Sequence, residues 1–181
     1  MKIAAAIGVF VVLAAAGALA FIYSGVYDIA ATTPHFSVTH RVLRTVMERS
    51  VRRQARDVRV PELDDPEKVH GGFKNFNEMC VTCHGAPGSA ASEISKGLYP
   101  EAPNLAQAAK GWTPAELYVI IKRGIKMSGM PAWEPTHSGE EIWALVAFLK
   151  LLPTMPATEY QEAVEYYAKD AGNKGREMHG H

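Results

Sequence analysis

The sequence predicts an all-α fold in which long loops join the helices. Three segments combine a helix-capping residue with a proline or a capping glutamate and are followed by apolar residues at helical spacing: Asp65-Pro66, Thr113-Pro114-Ala115-Glu116 and Ser138-Gly139-Glu140-Glu141. No segment alternates apolar and polar residues as half-buried β-strands do. The 181 residues suffice for one modest domain with extensions, and a formal net charge of zero gives no sign of a nucleic-acid partner.

The first predicted helix is an uncharged, mostly apolar run from Ile3 to Tyr23. About 20 such residues cross a hydrocarbon core of about 30 Å, so the run predicts a transmembrane helix within residues 1–30. A cleaved secretory signal is the alternative, because Ala18-Leu19-Ala20 resembles a cleavage site. The run is longer than the apolar region of most signals, which favours an uncleaved anchor. Both interpretations predict that the rest of the chain is exported.

A basic amphipathic helix is predicted from Ser37 to Asp57, inside a linking segment of residues 31–64. Seven arginines lie between Arg41 and Arg59. On the exported side they oppose the positive-inside rule, but most lie at or beyond the about 15–20 residues over which that bias acts. Such a helix can lie on anionic lipid, dock on an acidic partner subunit or serve as a solvated connector.

The only two cysteines lie in the sequence Cys80-Val81-Thr82-Cys83-His84. Cys-x-x-Cys-His is the attachment sequence for c-type haem. On a helix, Cys80, Cys83 and His84 share one face, so two thioether bonds and one imidazole can reach a single porphyrin. We therefore predict one covalently bound haem c, with Cys80 and Cys83 as attachment residues and His84 as the proximal iron ligand.

The predicted haem domain covers residues 65–156, and its first helix runs from Asp65-Pro66 into the cysteine motif. A glycine inside a helix costs about 1 kcal/mol relative to alanine, so Gly72 indicates close contact with another helix. The partner is expected to be the apolar helix that opens at Ser138 and stops at Pro153. A third helix opens at Thr113 and lies between them in the sequence.

These features resemble class I cytochrome c over about residues 65–153. Segments from all parts of the domain carry the resemblance: Gly72 and Phe76 before Cys80, Phe148 and Leu149 in the last helix, Ala102-Pro103-Asn104-Leu105, and Gly129-Met130-Pro131-Ala132-Trp133. The resemblance implies a cytochrome c fold, with three main helices around one haem. In this family the aromatic–aliphatic pair of the last helix crosses the glycine of the first.

The resemblance also implies the surroundings of the iron. The backbone carbonyl of Pro103 would accept a hydrogen bond from His84, and Leu105 would line the haem pocket. Met130 is the expected distal ligand, with Met127 as the nearby alternative, and His/Met ligation raises the reduction potential. Trp133 is expected either to donate its indole N–H to a haem propionate or to pack over the haem edge.

Two other interpretations of the cysteine pair lack supporting residues. A structural zinc site needs four ligands, but there is no second cysteine pair and the only close histidine pair is His179/His181. A thioredoxin-type redox pair belongs near a βαβ unit, and the sequence indicates none.

A six-coordinate haem leaves no open position for a substrate, and no carboxylate dyad or nucleophile–base pair stands out. The sequence therefore predicts an electron carrier and not an enzyme, in a single-pass protein of the inner membrane with a periplasmic haem domain. By family analogy a quinol-oxidising complex donates electrons, and a terminal oxidase, reductase or photosynthetic centre accepts them. A fixed haem subunit of a membrane dehydrogenase or oxidase and a haem-based ligand sensor are the alternatives.

The last segment, residues 157–181, is polar. We expect a short helix from Tyr160 to Ala168 and a disordered tail from Lys169 onwards.

Overall fold

The computed structural model describes residues 2–90 and 92–178. All regular elements in these residues are helical, which confirms the predicted all-α class. The chain forms two compact units, one ending at Pro34 and one beginning at His35. The α-helices have these bounds: α1 Lys2–Tyr23, α2 Ser37–Ala55, α3 Pro66–Asn75, α4 Val81–His84, α5 Glu93–Lys96, α6 Leu105–Ala108, α7 Pro114–Arg123, α8 Gly139–Leu151 and α9 Ala157–Met178.

Helix α1 makes up most of the first unit. It has 22 residues, its side chains are exposed, and its most apolar stretch has a mean hydropathy of 2.6. At 1.5 Å per residue such a helix is about 33 Å long, which suits a hydrocarbon core of about 30 Å. By length and composition α1 is therefore a candidate membrane span, and a signal sequence would meet the same criteria.

The core of the second unit is the contact between α3 and α8. Helix α8 is buried continuously from Ile142 to Leu149. Phe76, which follows α3, and Phe148 are fully buried, and their ring centres lie 5.1 Å apart. Gly72 lies directly against α8, where a side chain would overlap the backbone of Ala144. The predicted contact between Gly72 and the last helix of the domain is thus confirmed.

The predicted helix starts are confirmed by their capping hydrogen bonds. Asp65 Oδ1 accepts from the backbone N–H of Glu67 at 2.9 Å, and Pro66 occupies the first helical position. The capping box of α7 is complete, because the Thr113 hydroxyl accepts from Glu116 N and the Glu116 carboxylate accepts from Thr113 N. Helix α8 has the same arrangement at its own start. These caps satisfy backbone N–H groups that a helix start leaves unpaired.

Helix α2 packs on α7 through its carboxyl-terminal half. Val51 and Ala55 are buried there. Arg52 Nε lies 3.7 Å from Glu116 Oε1, and the Arg52 guanidinium lies 6.0 Å from the ring centre of Trp112. The basic helix therefore belongs to the same compact unit as α3 to α9, which the sequence did not indicate.

Helix α9 returns to cover α3. Tyr160 is 2% exposed and its hydroxyl donates to Asn77 Oδ1 at 2.9 Å. The ring of Tyr167 stacks on His70 with 4.5 Å between the ring centres. The helix continues to Met178, beyond the end expected at Ala168, so the structure differs here from the predicted disordered tail. Lysine, arginine and glutamate, which favour helix, occur in this extension together with Gly172 and Gly175, which disfavour it, so helix propensity alone does not explain its length. Residues 179–181 lie outside the described residues.

Candidate haem site

The cysteine motif follows a widened helical turn. After α3 ends at Asn75, the segment Phe76–Cys80 is π-helical, and the N–H of Val81 bonds to the carbonyl of Phe76. Helix α4 then carries Cys83 and His84. Single π-helical turns inside α-helices occur often at functional sites. The sequence predicted an unbroken α-helix here, because no residue pattern marks a π-helical turn.

Cys80 and Cys83 are both half-buried and form no disulfide. Burial raises the pKa of the Cys80 thiol to about 12, and repulsion from Cys83 adds to the effect. Redox-active cysteine pairs have a lowered pKa instead, since the thiolate is the reactive form. The raised pKa of Cys80 is opposite in direction to that activation.

A protein metal cluster is also absent from the residues that the structure describes, where no three His, Cys, Asp or Glu side chains converge. A structural zinc site requires such a cluster. The pair His179/His181 lies outside the described residues.

His84 has a fixed ring orientation. Gly85 ends α4 with a φ of 67°, and Nδ1 of His84 lies 2.8 Å from the carbonyl oxygen of Pro103. Burial lowers the pKa of His84, against the opposing effect of this hydrogen bond. A neutral imidazole that donates from Nδ1 presents the Nε2 lone pair, which is the form that binds a metal. Pro103 is the partner that the family resemblance names.

The segment that carries Pro103 is held by the start of α6. The carbonyl of Asn104 accepts from the N–H groups of Gln107 at 3.1 Å and Ala108 at 2.9 Å. Leu105 is half-buried against the hydrophobic core. It also lines a narrow crevice together with Gly85 and Leu152, close behind the cysteine motif.

The methionine loop folds back on the end of α7. Gly124 ends this helix with a φ of 63°, and a Cβ there would lie 2.5 Å from the carbonyl carbon of Pro131. The N–H of Ile125 donates to the carbonyl of Met130 at 3.1 Å. The backbone N–H of Trp133 donates to the carbonyl of Ile121 at 3.2 Å. A glycine is needed at position 124 because both the backbone angle and the close approach exclude a side chain.

The two methionines of this loop lie in different environments. Met130 is half-buried and packs against the core, as do Cys80 and Leu105. Its N–H donates to Ser128 Oγ at 3.2 Å. Met127 is 80% exposed and has a φ of 61°. Only one of the two thioethers is thus directed towards the apolar interior.

Trp133 is half-buried and packs against the same core. Its ring meets that of His137 edge-on, with 5.1 Å between the ring centres. Among the described residues, its indole N–H forms no hydrogen bond.

Ser92 supports the cysteine motif through its hydroxyl, a contact that was not predicted from the sequence. Its hydroxyl donates to the carbonyl of Thr82, within the cysteine motif, and accepts from the N–H of Ser95 at the start of α5. The sequence pattern for a helix cap at Ser92 is weak, because position 95 carries serine in place of the glutamate of a capping box.

The residues present fit haem c. Two thiols, one imidazole with a free Nε2 and one inward thioether are the donor types that hold a haem in His/Met cytochromes c. The surrounding side chains are mostly apolar, as an apolar macrocycle requires: Met79, Val81, Leu105 and Trp133 pack against the core beside Cys80 and Met130.

A comparison with protein families places this region among known proteins. Residues 67–149 match the family described as cytochrome c oxidase, cbb3-type, subunit III. The match begins in α3 and ends in α8, so it includes the cysteine motif, Pro103 and Met130 but neither α1 nor α2. A comparison with curated proteins finds no match. Residues 67–149 thus form a c-type cytochrome domain, which carries covalently bound haem c and transfers electrons through it.

Proposed function

We propose that this chain is a membrane-tethered monohaem cytochrome c that passes single electrons between respiratory or photosynthetic complexes in the periplasm. The observation that carries the proposal is the state of His84. Its Nδ1 is bonded to the carbonyl of Pro103 at 2.8 Å, which leaves Nε2 for iron. Met130 supplies an inward thioether from a loop anchored on α7. Bound haem supplies the one-electron Fe(III)/Fe(II) couple.

Each site residue has a defined task in this proposal. Cys80 and Cys83 would hold the haem through thioether bonds, and His84 and Met130 would bind its iron. A thioether is a soft ligand that favours Fe(II), so Met130 raises the reduction potential. Trp133 donates its indole N–H to a propionate, which gives this half-buried donor a partner.

The proposed role includes no substrate conversion. With His84 and Met130 both holding the iron, the site would offer no iron position to a small molecule, and the haem would supply one-electron transfer. Pro103 and Leu105 support the proximal side of the site: Pro103 fixes the imidazole, and Leu105 packs against the core behind it. The domain therefore acts on electrons alone.

The tether is α1. As an uncleaved single span it would hold the haem domain at the outer face of the inner membrane, where haem c attachment takes place. By family precedent the donor is a quinol-oxidising complex, and the acceptor is a terminal oxidase, reductase or photosynthetic centre. Confinement to the membrane surface would keep the carrier near both.

A fixed haem subunit of a membrane oxidase or dehydrogenase is the second candidate. The description of the matching family, which names a subunit of an oxidase, favours it. Solubilisation of native membranes in mild detergent separates the two candidates. A mobile carrier migrates as a small haem protein, whereas co-migration with a large complex at high salt would replace the carrier proposal with the subunit.

Intact mass and an absorption spectrum of the native protein test the main proposal. We expect one covalent haem, a retained α1 and the absorption band of a thioether bound to Fe(III). Met130→Ala should remove this band, and Met127→Ala should keep it because Met127 is exposed. Loss of the band in Met127→Ala alone would show that the distal ligand is wrong. A mass that lacks α1 would show that the tether is wrong.

A further inference from the structure

Helix α2 presents two different stripes of side chains. The inner stripe consists of Met47, Val51 and Ala55, which are half-buried or buried towards α7. The outer stripe follows the spacing of four, four, three and four residues that keeps side chains on one helix face: Val38, Val42, Val46, Arg49 and Arg53. All members of the outer stripe are exposed. The helix therefore has a second face that the domain leaves uncovered.

The valines of the outer stripe have no role in the fold of the second unit. Val38, Val42 and Val46 are 68%, 57% and 60% exposed. Valine is a weaker helix former than alanine, lysine or glutamate, so helix propensity does not explain three of them on a solvent face. A row of exposed apolar side chains on a helix indicates a surface that is covered in the working protein.

The arginines of the outer stripe form no ion pair among the described residues. Arg49 and Arg53 have none, whereas Arg44 and Arg52 lie within 4 Å of Glu48, at 2.9 and 3.7 Å. Arg41 lies on another side of the helix, where it lines a crevice with His35 and Tyr99. Two unpaired guanidinium groups next to a valine row match an anionic surface with an apolar layer beneath it.

The length of chain before α2 limits where this face can lie. Residues 24–36 join the end of α1 at Tyr23 to the start of α2 at Ser37. Thirteen residues span at most about 45 Å when fully extended. If α1 crosses the membrane, as the proposed function holds, α2 starts within that distance of the bilayer surface.

We propose that the outer stripe of α2 binds the surface of an anionic phospholipid bilayer. The valines enter the boundary between headgroups and acyl chains, and Arg49 and Arg53 contact lipid phosphates. Because Val51 and the Arg52–Glu116 pair fix α2 to α7, and α7 leads into the Met130 loop, the bound helix sets the orientation of the haem domain on the membrane. The inference rests on the proposed function, since it requires α1 to span the bilayer.

The test uses the full-length holoprotein in lipid nanodiscs. A spin label on Val42→Cys reports the surroundings of the outer stripe, and the native cysteines do not react because they are bonded to haem. Gln54→Cys, exposed on another face of the same helix, is the matched control. Collision of the label with oxygen and with a water-soluble nickel chelate distinguishes a lipid environment from water.

In nanodiscs that contain phosphatidylglycerol, the label at position 42 should meet oxygen more and the nickel chelate severalfold less than the label at position 54. In discs of phosphatidylcholine alone this difference should shrink. Each arginine contributes about fivefold to the ratio of bound to free helix. The double variant Arg49→Gln, Arg53→Gln should therefore abolish the lipid-charge dependence, while its haem spectrum stays unchanged. Free inorganic phosphate should not reproduce the effect.

A label at position 42 that stays in water in both lipid mixtures would overturn the inference. So would a label that becomes shielded only in native membranes, because the surface would then bind a protein. Flotation of the same sample with lipid separates this failure from that of the proposed function. If the protein floats with lipid while the label at position 42 remains in water, the α2 inference alone is wrong. If the protein does not float with lipid, the tether is wrong as well.

Discussion

Gly72 of α3 lies so close to Ala144 of α8 that a Cβ built on the glycine would be 1.9 Å from the Ala144 carbonyl oxygen and 2.9 Å from the Cβ of Phe148. Neither neighbour can yield easily, since one is backbone and the other belongs to a fully buried residue. The same helix α3 leads through Phe76 into the cysteine motif. The distance between α3 and α8 therefore fixes where the cysteine motif begins.

Gly72→Ala is expected to separate α3 from α8 or to prevent folding. Overpacking of a core typically costs about 1–3 kcal/mol, and overlap with backbone places this variant at or above the upper end. The yield of holoprotein and its free energy of unfolding in denaturant measure the effect.

Gly71→Ala is the matched control for this variant. A Cβ at position 71 meets only the Cβ of Ala144, at 3.9 Å, which is an ordinary contact. The replacement should be neutral or stabilise α3 by up to about 1 kcal/mol, because alanine is the better helix former. Equal losses in both variants would show that helix–helix distance is not the reason for Gly72.

The hydroxyl of Tyr160 in α9 bonds to Asn77 in the π-helical segment Phe76–Cys80. The ring centre of Tyr160 lies 5.4 Å from that of Phe73 in α3. Tyr160→Phe should cost about 1 kcal/mol, the usual net value of a hydrogen bond. Tyr160→Ala should cost about 3–5 kcal/mol, because it also leaves a cavity in the core. Tyr166→Phe is the control, since Tyr166 is exposed. Denaturant unfolding of the holoprotein gives these values, and an unaffected Tyr160→Ala would mean that α9 is not part of the folded domain.

The same residue predicts a loss of stability in alkali. Burial raises the pKa of Tyr160 from the ordinary 10.0 to about 12. Between these values the unfolded chain has released the proton and the folded chain still holds it, so the free energy of unfolding falls as pH rises. Below pH 10 the contribution is complete. Unfolding measured across this window should show a smaller decrease in Tyr160→Phe than in the parent protein.

The local signals of the sequence predicted the helix ends well. Asp65, Thr113 and Ser138 cap their helices as expected, because a cap depends on residues within one turn. The closely packed Gly72 was also predictable, since an unfavourable glycine inside a helix needs a packing reason. The family resemblance named the Pro103 carbonyl beside His84, which spacing in the sequence does not indicate.

Features that depend on distant contacts were not predictable. The π-helical turn at Phe76–Cys80 has no residue signature, and it forms while Phe76 is fully buried against Phe148. The length of α9 was underestimated because its polar residues resemble a tail, while Tyr160 anchors the start of the helix in the core. Only the fold brings Arg52 to Glu116 and Trp112, so nothing local showed that α2 is docked.

The docking of α2 makes a separate prediction about two valines on one helix. Val51 is 6% exposed against α7, whereas Val46 is 60% exposed. Val51→Ala should cost about 1–2 kcal/mol, since burial of a valine side chain is worth about 1.5–3 kcal/mol. Val46→Ala should change the stability of the detergent-solubilised protein little. Hydrogen exchange of the α2 amides provides the readout, and equal protection of α2 in both variants would show that Val51 does not hold the helix.

The last prediction concerns charge beside the methionine loop. Lys122 Nζ lies 3.0 Å from Glu134 Oε1, and this hydrogen bond raises the pKa of Lys122. The N–H of Glu134 also donates to the carbonyl of Lys122 at 3.0 Å. The two contacts between these residues hold the ends of the loop 124–133 together. Arg123 and Lys126 next to it are exposed and form no ion pair among the described residues. Glu134 therefore cancels part of the positive charge that Lys122, Arg123 and Lys126 place beside the methionine loop.

Removal of this carboxylate should speed reduction by an anion. Glu134→Gln releases the Lys122 charge, and attraction of oppositely charged reactants raises association rates. We expect the second-order rate of reduction by ferrocyanide to rise by about two- to fivefold at low salt. The gain should vanish near 1 M salt, where charges are screened beyond about 3 Å. Glu159→Gln, on the exposed surface of α9, is the control. Equal acceleration by both variants would assign the effect to net charge and not to the charges beside the methionine loop.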